Sequence, residues 1–149
     1  MKRGIKVKEK VLVSACLVGE NCKYNGKNNK NDKIIEFLKD KEVILVCPEV
    51  MGGLSTPRLK SEIVLNGRQV INEKGEDVTR CFVKGAEKAL EKALENNVKI
   101  AILKQKSPSC GYKKIYDGKF DGTIVEGSGI FARKLEEYKI NILTEDDFC

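Results

Sequence analysis

Apolar residues along this chain fall in short continuous runs, separated by longer stretches of mixed polarity. Residues 11–13, 43–46 and 100–103 are apolar throughout, as strands buried on both faces are. Residues 140–143 read as a last strand. Between the first two runs, a polar stretch at 28–32 leads into Ile34, Ile35, Phe37 and Leu38, the apolar face of a short helix. Before the third run, Phe82, Val83, Ala86, Ala89, Leu90, Ala93 and Leu94 recur at helical spacing, with Glu87, Lys88 and Glu91 outward. Asp77 or Thr79 can cap this helix, and Asn96-Asn97 ends it. Ser128 can cap another helix carrying Ile130, Phe131, Leu135 and Tyr138. Strands alternating with helices predict an α/β fold: a single Rossmann-like three-layer domain over residues 1–149, with a mostly parallel sheet.

Two stretches interrupt that alternation. Residues 63–65 and 68–71 flank Asn66-Gly67, which suits the positive φ angles of a type I′ turn. This predicts a β-hairpin excursion from the main sheet. Gly52-Gly53 opens an irregular loop through Pro57 and Arg58, and glycines punctuate residues 116–122.

No stretch approaches the roughly 20 apolar residues of a membrane span. Residues 1–6 carry charge but no apolar segment, unlike a secretory signal, so a cytoplasmic location is expected. The net charge of +6 is spread over scattered lysines, with no arginine-rich block. A nucleic-acid partner is therefore not expected.

The cysteines change the picture most. There are six, with no histidine anywhere in the chain. Cysteines in a cytoplasmic protein serve as thiols, ligands or nucleophiles rather than disulfides. Three of them follow the buried runs in small-residue turns: Ser14-Ala15-Cys16, Val46-Cys47-Pro48-Glu49 and Ser107-Pro108-Ser109-Cys110-Gly111. The carboxyl ends of neighbouring parallel strands open into one crevice. Three thiols delivered there suit a metal or cluster with one coordination position left open. Cys81 sits at the start of a helix, and Cys149 is expected to fray.

Iron–sulfur clusters take cysteine thiolates, usually four. Structural zinc takes four Cys or His ligands, so zinc here would need Cys22 as the fourth. The residues favour iron–sulfur over zinc. A metal-free nucleophile, Cys16 or Cys110, is a further reading; Lys104, Lys106 and Arg58 supply positive charge, but no histidine base exists. Glu49 shares a turn with Cys47 and is a candidate proton acceptor, unless it merely caps a helix or pairs with Arg58. Arg58 and Glu62 are spaced to pair with each other. Ser107 and Ser109 can orient a ligand or simply shape a turn. A non-catalytic iron–sulfur or zinc protein, acting as a sulfur carrier or sensor, fits the same residues.

These segments resemble the thiouracil desulfurase family. The resemblance rests on Ser14 to Gly19 continuing through Cys22 to Gly26, on Cys47 to Leu54 with Pro57, Arg58 and Glu62, and on Leu103-Lys104 with Ser107 to Gly111. Ile115 to Gly118, Gly122-Thr123 and Gly127 to Gly129 also fit. It implies a [4Fe-4S] cluster held by Cys16, Cys47 and Cys110 with one open iron. It implies non-redox removal of sulfur from a small thiolated base such as 2-thiouracil, giving uracil and hydrogen sulfide. Glu49 would handle the proton, Ser107 or Ser109 would orient the substrate, and Asn25 and Arg58 would contact it. The sequence departs from the family pattern at Lys23 and Asn25, where arginine and aspartate are expected. Asn25 lacks the charge but keeps hydrogen-bonding groups.

Overall fold

The computed structural model describes residues 8–64 and 67–148. Strand β1 (Lys10–Ser14) runs into a 3-10 turn (Ala15–Val18) and an irregular loop. Helix α1 (Asp32–Phe37) follows, capped by the Asn31 side chain, which accepts from the Ile34 N–H at 3.0 Å. Strand β2 (Glu42–Val46) leads through Cys47 into the one-turn helix α2 (Pro48–Met51). Strands β3 (Ser61–Ile63) and β4 (Val70–Asn72) precede the long helix α3 (Thr79–Glu95) and strand β5 (Ile100–Leu103). Strands β6 (Lys114–Tyr116) and β7 (Ile124–Glu126), helix α4 (Ile130–Glu137) and strand β8 (Asn141–Thr144) complete the order.

The main sheet is four strands in the order β2-β1-β5-β8, every pair parallel. It is buried on both faces, which is why its strands are continuously apolar. Leu12, Ala101 and Leu103 point to one face and pack with Ala86, Ala89, Ala93, Phe131 and Leu135 of α3 and α4. Val11, Val13 and Ile102 point to the other and pack with Ile34 and Leu38. The expected three-layer α/β arrangement is what these two cores make. The chain leaves β1 for β2 on one side and then crosses to β5 on the other. That reversal opens a crevice outside the carboxyl ends of β1 and β5.

The hairpin excursion is present as β3 paired antiparallel with β4. Its loop is longer than two residues: the Val64 N–H donates to the Gln69 carbonyl at 3.0 Å. Residues 65 and 66 of the expected turn lie outside the described residues, as do residues 1–7 and Cys149. The glycine-punctuated stretch forms a second hairpin, β6–β7, which the sequence pattern did not predict. Ser128 does not cap α4: its Oγ accepts from the Lys113 N–H at 3.0 Å, and Gly129 stands at the cap without a side-chain bond.

Candidate functional site

Cys16 lies in the 3-10 turn after β1, Cys47 is the residue between β2 and α2, and Cys110 follows β5 in the turn 107–111. All three line one crevice of about 300 Å³ at the carboxyl edge of the sheet. The turn carrying Cys110 is closed from within. Ser107 Oγ accepts from the Cys110 N–H at 2.7 Å, and the Ser107 carbonyl accepts from the Gly111 N–H at 2.9 Å. The turn is also tied to α4, whose Phe131 N–H donates to the Ser109 carbonyl at 3.0 Å. A Cβ at Gly129 would collide with that carbonyl, so the approach requires glycine.

A fourth thiol stands in the same crevice. Cys22, on the loop between the 3-10 turn and α1, lines the crevice beside Cys16 and Cys47, and its carbonyl accepts from the Cys47 thiol at 3.8 Å. Its own deprotonation is pushed up by the neighbouring thiols of Cys16 and Cys47 and by burial. Cys47 is drawn down to about 7, first by the neighbouring Cys22 thiol, then by a backbone bond and Arg58, against burial and Glu49. Cys16 is lowered by Cys22, Asn29 and Lys104, against burial and Cys47. Cys110 is pushed up to about 12 by burial, only partly offset by hydrogen bonds from Ser14 and Ser109. Sequence reasoning placed Cys22 in the family segment and as the fourth ligand that zinc would need, not among the three cluster cysteines. What delivers it is Arg58, whose Nη2 donates to the Cys22 carbonyl at 2.8 Å.

Arg58 also organises the carboxylate. Its Nε donates to Glu49 Oε1 at 3.0 Å, while Nη1 donates to the Ser55 carbonyl and to Thr56 Oγ1. Glu49 Oε2 accepts from Ser109 Oγ at 2.8 Å, and Ser109 Oγ lies 3.2 Å from Ser107 Oγ. Glu49, Ser109, Ser107 and Arg58 therefore form one chain of contacts beside Cys110. Arg58 pairs with Glu49 rather than with Glu62, which is buried and accepts from the Gly118 and Phe120 N–H groups at 3.0 and 3.1 Å.

Asn25 is not brought to the crevice. It is exposed, and its Oδ1 is occupied by the Lys27 N–H at 3.0 Å, the short-range bond of an Asx turn. The asparagine beside the thiols is Asn29, whose Nδ2 donates to Cys16 Sγ at 3.4 Å. At the mouth, the Lys60 ammonium lies 5.9 Å from the ring centres of both Tyr24 and Tyr116.

The donor set suits an iron–sulfur cluster: thiols only, in a crevice wide enough for a multi-atom group, two of them biased toward the thiolate that binds metal. Among the described residues, no three Cys, Asp or Glu side chains converge on the position of a single metal ion.

Fold and crevice together define a class: a parallel α/β domain with a cysteine-lined, carboxylate-flanked site at its topological switch point. The chain belongs to the 2-thiouracil desulfurase family, whose model matches residues 11–147. It is 41% identical over 145 residues to the uncharacterized protein YbbK of Bacillus subtilis (strain 168), covering 92% of this chain and 96% of that one. A solved structure of a [4Fe-4S]-dependent thiouracil desulfidase, TudS, superposes with a TM-score of 0.86 at 39% identity, covering 94% of this chain and 93% of TudS. The family expected from the cysteine segments is thus the family found.

Proposed function

We propose that this protein removes sulfur hydrolytically from a thiolated pyrimidine, 2-thiouracil or a close relative, using a [4Fe-4S] cluster held by Cys16, Cys47 and Cys110. The observation that carries the reading is Glu49 held between Arg58 and Ser109, with Ser109 adjacent to Cys110 in sequence and in the crevice. A cluster with three thiolate ligands supplies one iron free of protein ligands, a Lewis acid for the thiocarbonyl sulfur.

The chain's own residues supply the rest. Each oxygen of Glu49 spends one lone pair on Arg58 or Ser109 and keeps another, so the carboxylate can accept a proton from water. Arg58 fixes the plane of that carboxylate through Nε and holds the Cys22 loop through Nη2. Most of its N–H groups are committed to protein, so it positions Glu49 rather than gripping substrate. Ser109 gives its one hydroxyl hydrogen to Glu49, so Ser107 is the donor in its 3.2 Å contact with Ser109, and that Ser107 hydroxyl can turn instead toward a ring carbonyl or nitrogen. The balance is hydrolytic: the C=S bond is replaced by C=O from water, and sulfur leaves as hydrogen sulfide.

The test is turnover. Purified and reconstituted without oxygen, the protein is mixed with 2-thiouracil, and uracil and sulfide are measured. Both should appear in equal amounts. Cluster-loaded protein that releases neither contradicts the reading, and points instead to a sulfur carrier or sensor.

A further inference from the structure

Among the described residues four cysteines, not three, line the crevice, and the proposed chemistry leaves Cys22 without a role. It lines the same crevice as Cys16 and Cys47, its carbonyl accepts from the Cys47 thiol at 3.8 Å, and its backbone is sewn to the site. Arg58 holds the Cys22 carbonyl at 2.8 Å, the Arg58 N–H donates to the Tyr24 carbonyl at 2.7 Å, and the Asn29 N–H donates to the Cys16 carbonyl at 2.9 Å. Cys81, by contrast, is on α3 and does not line the crevice.

We infer that Cys22 is a fourth, displaceable thiolate for the cluster, binding the otherwise open iron until a substrate sulfur takes its place. This rests on the cluster assignment above. Four thiolates are the usual ligation of such clusters. A thiol tethered beside an open iron is present at an effective concentration on the order of mM, high enough to compete with a free ligand. The three other cysteines come from strand ends and a turn docked on α4, which fix them. Cys22 comes from a loop whose backbone Arg58 holds, so displacement asks only its side chain to turn away. The exchange is sulfur for sulfur and involves no electron transfer. On binding, the Cys22 thiol loses its proton to solvent; on displacement, the thiolate takes one back. The bond broken is iron to Cys22 sulfur, and the bond formed is iron to the substrate's sulfur. Residence of Cys22 on the iron would shield the resting site from oxygen and from stray thiols.

The experiment is differential alkylation of the anaerobic protein, read by peptide mass spectrometry, in three states: metal-free, cluster-loaded, and loaded with 2-thiouracil added. Cys22 should label in the metal-free protein. It should label about tenfold or more slowly once loaded, as a metal-bound thiolate does, and regain reactivity with 2-thiouracil. Cys81 should label alike in all three states. Equal labelling of Cys22 in metal-free and loaded protein overturns the inference, as does protection that 2-thiouracil leaves unchanged. Absence of iron from the reconstituted wild type overturns the cluster assignment itself and is a separate result. As a second readout, Cys22→Ala should keep its iron but lose the cluster's visible absorbance several-fold faster in air than the wild type. Unchanged bleaching contradicts the shielding role.

Discussion

Glu49 shows how one side chain acquires a role from its neighbours. Alone in the sequence it is a carboxylate after a proline. In the fold it is clamped at both oxygens, one facing a cation and the other a hydroxyl. Glu49→Gln keeps the size and an acceptor but cannot take a proton from water. It should retain iron and lose roughly 10²- to 10⁴-fold in turnover, the span associated with a general base. Turnover within a few-fold of wild type would remove Glu49 from the mechanism. The ligands are tested by iron content: Cys16→Ala, Cys47→Ala and Cys110→Ala should each fail to hold a full cluster, while Cys81→Ala should hold one. A full cluster in Cys110→Ala would sink the assignment. The three strand-end cysteines were legible because an apolar run followed by small residues announces a strand and its turn. Cys22 and Asn29 were not, because residues 19–31 have no period: Cys22 is held by Arg58, 36 residues beyond it, and Asn29 by Cys16. Asn25 misled for the same reason: beside a site cysteine in sequence, it spends its side chain on a local turn.

At the scale of elements, the site depends on how α2 meets α3. A Cβ at Gly85 would collide with the Pro48 carbonyl, and one at Gly52 with the Cys81 carbonyl. The two helices therefore touch backbone to backbone, and α2 carries Glu49. In an exposed helix, Gly→Ala stabilises by about 0.5–1 kcal/mol. Here the sign reverses, because the added methyl meets a backbone atom that cannot swing aside. Gly85→Ala should cost about 1–3 kcal/mol, read from the denaturant midpoint, and should lower turnover by displacing Glu49. A stabilised, fully active variant would show that the helices part freely. The helical spacing of α3 was plain in the sequence, but the partner of its glycine was not, since nothing local marks which turn approaches it. The β6–β7 hairpin escaped notice because its strands are only three residues each and lie among glycines.

The whole molecule places chemistry at the switch point of a parallel sheet. Two apolar cores fix the four strands, and the strand ends fix the thiols, so core and site are mechanically continuous. A ligand bound across several strand ends stabilises only the folded chain. Cluster-loaded protein should melt higher than metal-free protein by several degrees, given about 2–4 °C per kcal/mol at this size. Equal melting temperatures would mean that the thiols hold no such group. No helix among the described residues is long and apolar enough to cross a membrane.

The central claim is that water replaces sulfur without electron transfer. It is tested most directly by turning over 2-thiouracil in ¹⁸O-labelled water under anaerobic conditions, with no reductant, and weighing the uracil by mass spectrometry. The account predicts uracil carrying one ¹⁸O, formed in step with sulfide. Unlabelled uracil, or product that appears only when a reductant is supplied, would contradict it.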